Sequence, residues 1–136
     1  MNRHTFNYLE SITYAYHDTK RQIKEIEEEL LYESKWSDVK AGKVSVKEKV
    51  DTTAVKAAAL VEDRRLKRLR EQVDAVDRAY NSLIPEKQEL VKLYYWDDPA
   101  PRPMSYYAEK LSLSVRTAYR WRREYIYRLA KELGEI

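Results

Sequence analysis

The sequence contains no cysteine and only two glycines, Gly42 and Gly134. Without thiols the chain can form neither disulfides nor a thiolate metal site, and its two histidines are too few for a histidine-based zinc centre. Loops that bind nucleotide phosphates need clustered glycines, which are also missing. These absences exclude many enzyme classes. We therefore expect a protein that is not an enzyme, with no catalytic residues, no metal and no cofactor.

Long apolar runs are missing as well. No segment approaches the roughly 20 consecutive apolar residues that a membrane helix needs. Residues 1–10 contain no apolar core of the kind found in signal peptides. We therefore expect a cytoplasmic protein, with no membrane among its partners.

Charged and apolar residues dominate the 136-residue chain, at 36% and 43%. With so few glycines, this composition favours long exposed helices over a sheet with tight turns, and it predicts an all-α fold. The length suits one ordinary domain, or a small domain with an extended helical element. A net charge of +3 does not argue for nucleic acid by itself, so the position of the charge matters.

Two stretches before residue 85 have apolar residues at the three- and four-residue spacing of a helix seam. They predict long helices over residues 4–34 and 51–84, the second capped by Asp51, with a polar, basic connector at 35–50. We interpret residues 1–84 as an oligomerisation region that forms an antiparallel hairpin, a dimeric coiled coil, or both. The seam positions are Leu9, Ile12, Tyr16, Thr19, Ile23, Ile26 and Leu30, then Val55, Ala59, Leu66, Leu69, Val73, Val76, Tyr80 and Leu83.

Residues 85–136 are predicted to form a small three-helix domain. Pro85 suits the first position of its first helix, because proline has no N–H to lose there. The predicted buried face of that helix consists of Leu90, Val91, Tyr94 and Tyr95. Two aspartates and three prolines then end the helix and predict a rigid, extended linker over residues 97–103.

The other two helices of this domain match the pattern of a DNA-binding helix-turn-helix. Such a corner needs a small residue where the helices touch, which Ala108 supplies, and a short turn, which Ser112 and Leu113 supply. Ser114 is predicted to cap the second helix. Ser112 stands where glycine is usual, so a positive φ there costs more. The apolar residues that fill the corner are Tyr107, Leu111, Leu113, Ala118 and Trp121.

Positive charge is concentrated on the predicted second helix of the pair. Between Ser114 and Lys131 there are five arginines and one lysine against one glutamate, a local net charge of +5. Helical geometry leaves a basic face outside when the apolar residues turn inward, and arginine suits both guanine and phosphate recognition. The predicted DNA-binding residues are Ser114, Val115, Arg116, Thr117, Tyr119, Arg120, Arg122 and Arg123.

The segments ELVKLYYW, SVRTAYRWRR and RLAKELGE resemble the C-terminal half of the RinA and ArpU families of phage late-gene regulators, over about residues 85–136. Those families have a three-helix domain similar to sigma factor region 4, preceded by long helices and a variable connector. The resemblance implies activation of phage late genes for DNA packaging and structural proteins in the bacterial host cell. It also implies host RNA polymerase as a further partner. The segment DDPAPRPMS is longer than the usual connection in those families.

Three functional hypotheses follow from the sequence. The first is a homo-oligomeric transcription factor, with a dimer favoured, whose C-terminal domains read two half-sites in duplex DNA. The second is a coiled-coil adaptor whose basic end binds a protein or RNA partner, without sequence preference for duplex DNA. The third is an enzyme or a packaging component, such as a small-terminase-like DNA-binding protein, which would form rings of higher order.

Overall fold

A computed structural model of the chain describes residues 1–41 and 48–136. Within these two ranges every regular element is helical and no strand is found, which confirms the all-α prediction. The helices are α1 (Arg3–Tyr14), α2 (Tyr16–Ala41), α3 (Glu48–Asn81), α4 (Pro85–Lys92), α5 (Met104–Lys110) and α6 (Val115–Glu132), and a π-helical turn (Leu93–Asp97) continues α4.

The described residues divide into two compact units. Unit 1 consists of Met1–Tyr16 together with Gln72–Ile136, and unit 2 is His17–Glu71. The division predicted between residues 84 and 85 therefore differs from the observed one. The reason is that α1 and the last part of α3 pack against the C-terminal helices and share their core.

The single helix predicted over residues 4–34 is interrupted. α1 ends at Tyr14 and α2 begins at Tyr16, so the first helix has 12 residues. Near this break, the indole Nε1 of Trp96 donates a hydrogen bond of 2.8 Å to the carbonyl oxygen of Thr13. A side chain that inserts into the backbone hydrogen-bond ladder interrupts a helix at that point. The apolar spacing of residues 4–34 does not predict this contact.

The connector and the helix after it also differ from the prediction. α2 continues to Ala41 and α3 already begins at Glu48, so most of the predicted connector at 35–50 is helical. Residues 42–47 of that connector lie outside the described residues. Asp51 lies inside α3, and its predicted role as the N-cap is therefore wrong.

Some of the predicted seam residues of unit 2 are buried within one chain, whereas Ile23, Leu30 and Leu69 are half-buried. Ile26 on α2 and Leu66 on α3 are each only 5% exposed. Arg70 of α3 forms an ion pair with Glu27 of α2, which places the two helices side by side. Within this one chain α2 and α3 therefore pair with each other, and association of two copies through the same region stays a prediction. The side chains of two predicted seam residues, Val55 and Ala59, lie outside the described residues.

Unit 1 has two apolar clusters that meet on α6. The larger joins α1, the end of α3, the π-helical turn and one face of α6, with Leu9 and Leu129 fully buried. The smaller joins α4, α5 and the N-terminal part of α6, around Tyr107 and Ala118. α6 is thereby fixed along its inner faces, and only the remaining face is available to solvent.

α4 follows its prediction closely. Pro85 occupies the first turn of the helix, and Leu90 and Val91 are each 1% exposed. Tyr95 is also buried, whereas Tyr94 is half-buried. The chain then turns extended at Asp98, whose carboxylate accepts hydrogen bonds from the Ala100 amide and the Arg102 side chain.

Candidate nucleic-acid interface

α5 and α6 meet at a tight corner. Ala108 on α5 and Ala118 on α6 are 1% and 0% exposed, which allows the two helices to approach closely. The amide of Leu113 donates a 2.8 Å hydrogen bond to the carbonyl oxygen of Ala108 and closes the turn. Ser112 adopts φ 57, in the left-handed region expected for the position where glycine is usual. The remaining corner residues, Leu111, Leu113 and Trp121, are partly buried against this cluster.

Ser114 caps α6, as predicted. Its hydroxyl oxygen accepts a hydrogen bond of 3.1 Å from the Thr117 amide and lies 2.8 Å from the Thr117 hydroxyl. The cap satisfies one of the amides that every helix start leaves without a partner. Ser114 is exposed and Thr117 is half-buried. Ser114 is the N-cap of α6 and Thr117 lies in its first turn.

Three arginines lie at the outer surface of α6. Arg116, Arg120 and Arg123 are all exposed, and none of them has an ion pair or a hydrogen bond within the described part of the chain. They follow each other at intervals of four and three residues, which places them on one side of the helix. Val115 and Tyr119 share this outer surface and are 41% and 47% exposed.

Arg122, the fourth arginine of the predicted site, is placed differently. Its guanidinium donates to both carboxylate oxygens of Glu10 on α1, at 3.1 and 2.9 Å, and the two side chains are only 20% and 13% exposed. It also lies over the ring of Phe6 at 5.0 Å. Burial lowers the pKa of Arg122, but the hydrogen bond and charge of Glu10 outweigh burial and raise it. Arg122 therefore holds α1 against α6.

Arg128 is also engaged inside unit 1. It pairs with Glu124 at 3.1 Å and donates to the backbone and side chain of Ser82. Glu124 also accepts from Lys87 at 2.6 Å, and this hydrogen bond, followed by that of Arg128, lowers the pKa of Glu124. The local charge counted from the sequence is thus partly neutralised within the fold, and the unpaired charge is concentrated on the outer arginines.

Glu10 supports this site, although no feature of the sequence predicted it. This carboxylate accepts from Arg122 and also from the Tyr95 hydroxyl at 2.8 Å. Burial, followed by the charge of Glu10, raises the pKa of Tyr95 well above its usual value. No local pattern around Glu10 distinguishes it from the other acidic residues, because its partners lie 85 and 112 residues away.

Among the side chains that the structure describes, those of residues 1–33, 57, 60, 61 and 63–136, no group of three or more histidine, cysteine or acidic residues could hold a metal ion. Within the described part of the chain, no helix has the length and apolarity to span a bilayer.

These features define a class: an all-helical protein whose last helix is fixed on its inner faces and carries unpaired arginines on its outer face. The model of the family described as "Protein of unknown function (DUF722)" matches residues 7–131. The chain belongs to the DUF722 family. No curated protein and no solved structure gives a significant match.

Proposed function

We propose that this protein is a transcriptional regulator that reads duplex DNA with a helix-turn-helix formed by α5 and α6. The observation that carries the proposal is the row of exposed, unpaired arginines on α6, namely Arg116, Arg120 and Arg123. In a helix-turn-helix the second helix lies in the major groove, and its first residues reach the base edges. The row lies on the side that the corner leaves uncovered.

The lack of partners distinguishes this row from ordinary solvated charge. Arg122 and Arg128 lie on the same helix, and each is paired with a glutamate inside unit 1. An unpaired row of guanidinium groups at one helix surface repels itself, and an external polyanion relieves that repulsion. We therefore assign DNA contact to the outer row and a supporting role to Arg122.

Each residue of the interface has a proposed role. Arg120, at the centre of the row, is placed to pair with the two acceptors of a guanine, and Arg116 and Arg123 flank it. Val115 and Tyr119 supply apolar surface for thymine methyl groups. Ser114 and Thr117, at the start of α6, are close to where a DNA backbone would pass, and helix starts are common phosphate contacts.

Unit 2 supplies the proposed oligomer contact, with a second copy of the chain as its partner. Its exposed apolar side chains include Leu31 and Tyr32 on α2 and Leu60 and Val61 on α3, at 56%, 69%, 61% and 64% exposed. Its exposed charges are complementary between helices, since α2 has acidic residues where α3 has basic ones. The acidic set is Glu28, Glu29 and Glu33, and the basic set is Arg64, Lys67 and Arg68. A dimer with two DNA-binding units would read two half-sites.

The biological role that we propose is control of phage late genes in the bacterial host, together with host RNA polymerase. This part of the proposal rests on the resemblance of residues 85–136 to the RinA and ArpU regulators. A reporter driven by a late promoter, with and without the protein, tests it. Increased transcription supports activation, and decreased transcription would replace activation by repression.

Selection of bound sites from random duplex DNA tests the central proposal. We expect a defined site to be enriched. Arg120→Ala should lose about 1–3 kcal/mol of binding free energy and relax the preference at one base position. Lys24→Ala, which removes an exposed cation of α2 outside the proposed oligomer contact, is the control and should keep the base preference. The proposal is wrong if no site is enriched, or if folded Arg120→Ala binds with unchanged affinity and preference.

The dependence of binding on salt separates DNA from a protein partner. Each phosphate that is neutralised releases condensed counterions, so three or four contacts per protomer give a log–log slope of about −3 to −4. Mass measurement of the free protein addresses the alternatives at the same time. A slope near zero supports the adaptor hypothesis, and rings of higher order support the packaging hypothesis.

A further inference from the structure

α1 and α6 run side by side in the same direction. Glu10 pairs with Arg122, and the Thr13 hydroxyl lies 2.9 Å from the Tyr125 hydroxyl, and both pairs are separated by 112 residues. A constant offset between two packed helices means that they are parallel. Counting back seven residues on both helices leads from Glu10 and Arg122 to Arg3 and Val115. The first turn of α1 is therefore level with the first turn of α6.

Arg3 lies on the side of α1 that faces α6. It precedes Phe6 and Glu10 by three and seven residues, the spacing of one helix face. Both of those residues contact Arg122, Phe6 through its ring and Glu10 through its carboxylate. The α1 side chain at the exposed end of this face is thus a cation next to the proposed DNA-reading helix.

A depression of about 300 Å³ lies where these two helix starts meet. Arg3 and Phe6 line it from α1, and Tyr119, Arg122 and Arg123 line it from α6. Glu10 neutralises Arg122, but Arg3 and Arg123 have no ion pair or hydrogen bond among the described residues. The depression therefore has two unpaired guanidinium groups and a half-exposed phenol around an open concavity.

We infer that this depression binds a backbone phosphate of the DNA, with Arg3 and Arg123 as its charged ligands. The inference rests on the proposed function and adds α1 to the interface. A guanidinium group has only donors and a phenol hydroxyl can also donate, so a phosphate can accept charge-assisted hydrogen bonds from all three groups. The contact positions α6 on the duplex, and it reads no base.

The test uses the full chain and its selected duplex. Arg3→Ala should flatten the log–log salt slope by about 0.9, so that the advantage of the wild type shrinks about 3.5-fold between 50 and 200 mM salt. Arg3→Lys should restore most of the slope, because it restores the charge. Lys24→Ala, with the same loss of net charge on α2 outside the proposed oligomer contact, should leave the slope unchanged. Both positions are exposed, and melting curves verify that the variants fold.

Duplexes with one neutral methylphosphonate at a time locate the phosphate. We expect one position whose neutralisation weakens the wild type more than Arg3→Ala, which keeps only Arg123 as a charged ligand there, with base preference equal in both proteins. An unchanged slope for Arg3→Ala, or a preference relaxed at a single base, overturns the inference while the proposed function stands. A wild type that enriches no site overturns both.

Discussion

Unit 1 and unit 2 both bury apolar residues between helices, but they differ in their polar contacts. In unit 1 the buried Tyr125 hydroxyl lies 2.9 Å from the Thr13 hydroxyl, and Glu10 joins Arg122 to Tyr95. In unit 2 the ion pair between Arg70 and Glu27 is at the surface, with side chains 52% and 46% exposed. A buried polar network is satisfied only in one geometry, whereas a pair of exposed side chains can interact in many geometries.

The difference is the one expected from the proposed functions of the two units. A helix that reads bases, as proposed for α6, must be held within a fraction of an ångström, and α1, α3 and α4 pack against α6 in unit 1. A hairpin that joins two copies, as proposed for unit 2, needs only a surface of the right chemistry. Unit 2 should therefore tolerate substitutions that unit 1 does not.

The largest expected effect comes from truncating a buried leucine in each unit. Leu129→Ala in unit 1 should cost about 4–5 kcal/mol, because a fully buried site with neighbours on all sides cannot collapse around the cavity. Leu66→Ala in unit 2 should cost closer to 2 kcal/mol, since a two-helix site can relax. Urea unfolding followed by circular dichroism measures both. Equal costs, or the reverse order, would break the comparison.

Removal of Glu10 should have the next largest effect. Glu10→Ala leaves the guanidinium of Arg122 half-buried without its partner, at a cost of about 3 kcal/mol. The double variant Glu10→Leu with Arg122→Met removes both charges and should recover much of the loss. Thermal unfolding of the two proteins decides the point. A change below about 0.5 kcal/mol for Glu10→Ala would show that the pair contributes nothing.

Alkaline pH should affect unit 1 in particular. Burial, as the largest cause, raises the pKa of five unit 1 tyrosines, including that of Tyr14 to about 12 and that of Tyr95 well above its usual value of 10.0. A folded pKa above the unfolded one gives stability that is present below pH 10 and is lost as pH rises toward the folded pKa. The other three are Tyr16, Tyr107 and Tyr125.

Tyrosinate absorbance and circular dichroism, recorded together from about pH 9 to about pH 13, measure this effect. We expect the late part of the absorbance change to coincide with loss of helix. If all twelve tyrosines ionised while the helices persisted, the hydroxyls of unit 1 would not be held as described.

The smallest expected effect is at the surface pair of unit 2. Arg70→Ala should cost about 0.2–1 kcal/mol, because exposed ion pairs are well solvated in both states. Added salt should reduce even this value. A cost as large as that of Glu10→Ala would remove the contrast between the units.

The sequence predicts the parts of the fold that neighbouring residues determine. Pro85 at a helix start and Ser114 as a cap act through amides within three residues of themselves. The corner of Ala108 and Ala118 follows from small residues at a fixed spacing. These features are local in the chain, so one sequence is enough to find them.

The sequence does not predict contacts between distant segments. The break after Tyr14 lies beside the hydrogen bond that Thr13 accepts from Trp96, 83 residues away, and Arg122 pairs with Glu10, 112 residues away. The same limit applies to the interface, since spacing cannot tell an arginine that meets a glutamate of another helix from one that meets none. Arg3 was not predicted for the same reason, because only the packing of α1 on α6 brings it to the proposed interface.

The parallel packing of α1 on α6 has a consequence for biosynthesis. α1 leaves the ribosome before α6, and its partners on α6 are made 112 residues later. At bacterial translation rates that interval lasts roughly 6 to 20 seconds. Throughout that interval Leu9, Ile12 and Glu10 have no α6 to pack against. The unit 2 hairpin, which lies between α1 and α6 in the chain, can already close. A C-terminal fragment that starts at residue 85 meets the converse problem, since it is made without α1 and leaves Arg122 and Tyr125 unpaired.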